Sequence, residues 1–240
     1  MKKKRIGLIV PSSNTMMEED FIPRMPNKKS SLHIARMFIE HTTREEEERM
    51  VDIYFPQAMH ELRSADVDVI LFGCTSAGTL KGNDTEHGLE EEIFKETGKQ
   101  GITVTRAITS LLREMGAEQI VLFTPYIQDL TDSVRDWLLG EGFEVVLSKG
   151  MGIINNTDIG SVSSRDIVDF SIDQLQKNGL LEEAEDGMLD LKADAILYSC
   201  TNFPSWGCLD EMKKHVRTNY ITSNQALFEY TMKLLELTAS

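Results

Sequence analysis

Leu71-Phe72-Gly73-Cys74-Thr75-Ser76-Ala77-Gly78 is an apolar run that stops at a glycine and then presents a thiol and two hydroxyls. Leu197-Tyr198-Ser199-Cys200-Thr201-Asn202-Phe203 repeats the pattern in the other half of the chain. A buried strand ending this way delivers a sulfur to its carboxyl end, where open α/β sheets bind ligands. Two such deliveries predict two similar halves facing one cleft, with a thiol on each wall. That arrangement suits proton or covalent chemistry on two faces of a small planar molecule.

Working outward from these stretches, residues 6–10 form another continuous apolar run, as a strand buried on both faces requires. Residues 31–39 read as a second strand, and 67–72 as the one leading to Cys74. Residues 44–64 carry Met50, Ile53, Tyr54, Ala58 and Leu62 at helical spacing, with a charged outer face. A helix over 105–116 stops at Gly116. The pattern then restarts, with strands at 119–123, 143–147 and 195–198 and helices at 130–139 and 165–176. A strand around Tyr220-Ile221 and a helix over 223–237 close the chain. Strands alternating with helices predict parallel sheets covered on both faces. The expected division is a first domain of residues 1–110 joined by the segment 218–240, and a second of residues 111–217. The polar, glycine-spaced stretch 81–100 reads as a mobile loop or a short helix, and so as a candidate lid.

The 240 residues suit two domains of common size, and the 41% hydrophobic and 27% charged composition is that of a soluble globular protein. A formal net charge of −14 argues against nucleic acid and anionic membranes as partners. An anionic substrate then has to be held by local donors. No apolar run is long enough for a membrane span or a signal peptide, which predicts a cytoplasmic protein. Three cysteines without a CxxC pair support neither a zinc site nor a disulfide framework. The five histidines are scattered without ligand spacing, so no metal is expected.

The candidate site residues lie at strand ends. Cys74 and Cys200 are each followed by hydroxyl side chains and backbone amides that stabilise a thiolate or hold a carboxylate. Cys208, after Trp206-Gly207, has no such context and reads as structural. Pro11-Ser12-Ser13-Asn14-Thr15 is either a turn with a helix cap or a neutral anion cradle. Tyr126, in Thr124-Pro125-Tyr126, occupies the matching strand end of the second half. Asn156 lies in Asn155-Asn156-Thr157-Asp158-Ile159-Gly160, which also suits a plain turn.

Together with His33-Ile34-Ala35-Arg36-Met37, these stretches resemble the maleate cis-trans isomerase and arylmalonate decarboxylase family, within the aspartate/glutamate racemase superfamily. The resemblance covers most of the chain. It implies two Rossmann-like α/β domains with parallel four-stranded sheets, related by a pseudo-twofold, with a cofactor-free active site in the interdomain cleft. It implies Cys74 and Cys200 as the catalytic pair, with Asn14, Thr75, Ser76, Tyr126, Asn156 and Thr201 holding the carboxylates of a small dicarboxylate substrate. The decarboxylase-like members carry Gly where Cys74 stands; this chain has both thiols, as an isomerase or racemase does. The expected reaction is isomerisation of maleate to fumarate by thiolate addition from Cys74 and proton transfer by Cys200. The competing readings are a two-thiol amino-acid racemase, an arylmalonate-type decarboxylase and a non-catalytic carboxylate-binding protein. A homodimer or homotetramer is compatible with all of them.

Overall fold

A computed structural model describes residues 3–41, 43–79 and 83–237. Its strands are short and its connections helical, as the alternating pattern requires. The first half runs β1 (Lys4–Pro11), α1 (Met16–Phe21), β2 (Ser30–Met37), α2 (Arg44–Arg49), a π-helical turn (Met50–Tyr54), α3 (Phe55–Ser64), β3 (Val69–Phe72), α4 (Thr75–Thr79), α5 (Asn83–Thr97), β4 (Gln100–Thr103) and α6 (Val104–Glu114). The second runs β5 (Gln119–Thr124), α7 (Gln128–Gly140), β6 (Glu144–Gly150), α8 (Asn156–Gly160), α9 (Ser164–Lys177), β7 (Leu181–Glu183), β8 (Leu189–Tyr198), α10 (Leu209–Met212), β9 (Val216–Thr222) and α11 (Ser223–Leu234).

The expected helix over 44–64 is present, with its i→i−4 ladder widened to a π turn just before Pro56. A proline lacks the N–H that would continue the ladder, and its ring crowds the preceding turn. Of the stretch 81–100, residues 83–97 are the helix α5; residues 81 and 82 lie outside the described residues, as do 238–240 at the end of the closing segment.

The first sheet has the order β2-β1-β3-β4, all parallel. The second repeats it as β6-β5-β8-β9, also parallel, which makes β3 and β8 equivalent strands. The second sheet carries a fifth strand that was not expected. Short β7 pairs antiparallel with residues 189–191, the start of a long β8. The closing segment also divides: β9 extends the second sheet beside β8, where its edge pairing completes the fourth parallel position. The helix α11 that follows packs on α6, α1 and β4, against the first half.

Alternation along the strands separates two layers of core. Ile9, Ile70 and Phe72 face Met50 of the π turn, α3 and α5 on one side of the first sheet. Ile6, Leu8, Val69 and Leu71 face the other way, into a core shared with α6, α11 and the second sheet. The two sheets are therefore joined by continuous apolar packing, and their equivalent strand ends open onto common ground. Among the described residues, no helix is long and apolar enough to cross a membrane.

Candidate active site

Gly73 ends β3 where a side chain has no room: a Cβ there would stand 2.5 Å from the sulfur of Met17 and 3.1 Å from the Ile9 carbonyl oxygen. The chain turns at this glycine into α4, leaving Cys74 at the strand's carboxyl end. Cys200 leaves β8 in the same way. Both thiols are buried, at 5% and 4% exposure, and both line one cavity with about 280 Å3 of empty space.

Asn14, Ser76, Tyr126, Asn156 and Thr201 line the same cavity. Thr75 does not. Its hydroxyl turns away to Ser223 at the start of α11, 3.1 Å distant. The lining also includes Pro11, Ile39, Asn202 and a residue that sequence reading passed over, Glu47 of α2. Among the described residues, no lysine, arginine or histidine lines it.

Many of the polar groups are committed to one another. The Asn14 side-chain amide donates to Thr201 Oγ1 at 3.0 Å and accepts from the Met17 amide at 3.1 Å, so Asn14 serves as both a wall group and a cap of α1. The Thr201 hydroxyl donates to the Gly73 carbonyl at 2.9 Å. The Asn156 amide donates to Ser13 Oγ at 2.8 Å. Asn202 reaches across from the second half: its Oδ1 accepts from the Thr15 amide at 3.0 Å, and its Nδ2 donates to the Asn156 carbonyl at 2.6 Å. Arg36 does not enter the cavity. Its guanidinium holds the Asn14 and Ser12 carbonyls at 2.8 and 3.0 Å and pairs with Glu18, fixing the β1–α1 turn.

The two thiols have different surroundings. Cys200 receives the Asn202 amide at 3.3 Å, the Phe203 amide and the Tyr126 hydroxyl. Burial still outweighs these donors and pushes its pKa up to about 12. Burial raises Cys74 further, and the neighbouring Glu47 carboxylate adds to the rise against the Ala77 amide and the Ser76 hydroxyl, 3.8 Å away. The Ser76 hydroxyl donates a short hydrogen bond to Glu47 Oε1. Glu47 is 1% exposed, and burial pushes its pKa up to about 7 against the opposing effects of Ser76 and Arg44. Tyr126 is driven well above its ordinary value, chiefly by burial.

A family model described as arylmalonate decarboxylase matches residues 6–240. The chain belongs to the arylmalonate decarboxylase family. A maleate isomerase of Geobacillus stearothermophilus is 28% identical to this family member over 98% of this chain and 93% of its own. A maleate isomerase of Alcaligenes faecalis is 30% identical over 85% of this chain and 80% of its own. The structure of the C200A variant of the maleate isomerase Iso from Pseudomonas putida S16, solved with maleate, superposes with a TM-score of 0.85 at 26% identity, covering 98% of this chain and 93% of that one. The motifs quoted at Pro11–Thr15, Cys74 and Cys200 thus sit, in this arylmalonate decarboxylase family member, around one cavity between two sheets of the same order.

Glu47 was hidden by its setting. It is the third of four consecutive glutamates, Glu45 to Glu48, which read as a solvated face. A signal was nonetheless present. Steps of three, four and four residues connect Glu47 to Met50, Tyr54 and Ala58, the inward stripe of the same helix.

Proposed function

We propose that this protein is a cofactor-independent isomerase that converts maleate to fumarate, with Cys74 and Cys200 as its catalytic pair. One observation carries the reading: two thiols from equivalent strand ends line a single small cavity walled by neutral polar groups. Two relatives named maleate isomerase, matched over 98% and 85% of this chain, support the same substrate.

In this reading Cys74, as thiolate, adds to one alkene carbon of maleate. The π electrons move onto the adjacent carboxylate as an enediolate, and Cys200 delivers its proton to the other carbon. The former double bond is then single and rotates. Cys200 takes the proton back, the double bond reforms in the trans arrangement, and Cys74 leaves. Covalent addition replaces one high rotational barrier by several smaller ones. The Tyr126 hydroxyl and the Asn202 and Phe203 amides surround Cys200 and favour the thiolate it becomes on giving up its proton. Removing one such preorganised donor typically costs about 10²–10³ in rate.

The test uses Cys200→Ala and Cys74→Ala with maleate. Cys200→Ala is expected to form no fumarate and to accumulate a succinyl adduct on Cys74, detected by peptide mass spectrometry. Cys74→Ala is expected to give neither adduct nor fumarate. Fumarate formed at the wild-type rate by Cys74→Ala would overturn the assignment. Carbon dioxide release from an arylmalonate surviving the loss of Cys74 would indicate a decarboxylase instead. Solvent deuterium entering an amino acid's Cα without an adduct would indicate a racemase.

A further inference from the structure

Most of the side-chain donors around the cavity are already used inside the protein. The Thr201 hydroxyl goes to the Gly73 carbonyl, the Ser76 hydroxyl to Glu47, and the Asn14 and Asn156 amides each give a hydrogen to a neighbouring hydroxyl. Among the described residues, no cation lines the wall. A dianionic substrate therefore enters a cavity poor in free donors, which also contains a carboxyl group. That carboxyl, on Glu47, is tied at Oε1 only. Its Oε2 is buried and has no hydrogen-bond partner.

An ionised Oε2 would be an orphaned acceptor facing a second negative charge, and an unpaired buried charge is costly. A protonated Oε2 is instead a donor lacking an acceptor, and a substrate carboxylate supplies one. We propose that Glu47 acts as a neutral acid that donates its Oε2 hydrogen to one carboxylate of the substrate, so that the protein binds the dicarboxylate together with a proton. The inference rests on the isomerase reading above and assigns part of its substrate recognition.

The electrostatics agree with the geometry. Burial already raises Glu47 to about 7, and a bound dianion raises it further by like-charge repulsion. The titratable and charged groups around it are Arg44 on its own helix and Cys74, Tyr126 and Cys200 across the cavity. Burial keeps the two thiols and the phenol protonated at neutral pH in the empty site, so Glu47 is the one among these groups that changes charge there. Neutralising it also removes the repulsion that opposes a Cys74 thiolate.

The experiment compares wild type, Glu47→Gln and Glu47→Ala between about pH 6 and about pH 8.5. Gln keeps the size and a neutral N–H donor but does not titrate. In the wild type, KM for maleate is expected to rise with pH above about 7, approaching tenfold per unit. In Glu47→Gln it is expected to stay near the low-pH wild-type value across the whole range. The ionisation of maleate itself is common to both proteins and drops out of the comparison. Glu47→Ala is expected to raise KM by about tenfold or more at every pH.

Calorimetry with succinate, which cannot isomerise, reads the proton directly. At about pH 8 the wild type should take up close to one proton on binding and Glu47→Gln none, from titrations in two buffers of different ionisation heat. The same KM profile in wild type and Glu47→Gln, or loss of kcat in Glu47→Gln at unchanged KM, would overturn the proposal. If the wild type forms no fumarate at any pH, the isomerase reading fails; succinate binding with proton uptake in the wild type alone would still support the role of Glu47. Absence of both fumarate and succinate binding would sink the two together.

Discussion

Glu47 makes folding itself depend on pH. Its carboxyl has a pKa of about 7 in the folded protein against 4.5 for the free group. Below pH 4.5 it is protonated in both states and its burial exacts no ionisation penalty. As pH rises towards and through 7, the unfolded chain releases the proton first, and stability is lost. Fully developed, by about pH 8, the loss is on the order of 3 kcal/mol. Glu47→Gln is therefore expected to withstand more urea than the wild type at about pH 8, with the gap closing towards about pH 5; an equal gap at both pH values would contradict this account. Gly150 acts at the same scale by having no side chain. A Cβ there would stand 2.2 Å from the Tyr126 carbonyl oxygen, so glycine allows β6 to approach the turn that carries the Tyr126 hydroxyl to Cys200.

At the level of elements, the short helix α1 depends on the other half of the molecule. Its own cap residue, Thr15, makes no side-chain capping bond, and Asn202 serves its first amides instead. Asn202→Ala should lower stability by about 1–2 kcal/mol in urea unfolding, and an unchanged urea midpoint would show that α1 does not depend on this contact. The elements with strong periodicity were readable in advance: β1, β3, β5, α6 and the long helical stretch around Met50 and Ala58 lie close to their expected bounds. The strand β4 was not. Gln100-Gly101-Ile102-Thr103 offers little alternation, and Gly101 is required because a Cβ would stand 3.0 Å from Glu90 Cα. The antiparallel β7 is three residues long and owes its pairing to the extended start of β8. The site divides in the same way. Seven of the eight expected residues line the cavity because they sit at strand ends, which the sequence marks. Thr75 turns away from the cavity and Glu47 turns into it because helix phase decides their direction, and phase is set by packing.

Across the whole molecule, the two sheets share one core and are cross-linked by buried polar contacts. Asn14 to Thr201, Asn156 to Ser13 and Asn224 to Asp20 all join residues distant in sequence. Such a molecule should unfold in a single step. Trp137 is buried in the second half, whereas Trp206 lies under Arg24 of the first half and against Phe228 of α11, so the fluorescence of a Trp206→Phe variant monitors the second half while far-UV circular dichroism monitors the whole molecule. The two urea transitions are expected to coincide; an earlier dichroism transition would mean that the first half opens independently.

A cavity wall whose described residues include no lysine or arginine has a consequence for turnover. A fixed positive charge would grip cis and trans dicarboxylates alike, and such uniform attraction deepens the ground states without hastening the step between them. Dipoles and a shared proton hold either isomer more lightly. Departure of the product then becomes easy, and the enzyme is suited to running close to equilibrium in both directions, at the expense of scavenging its substrate from dilute solution.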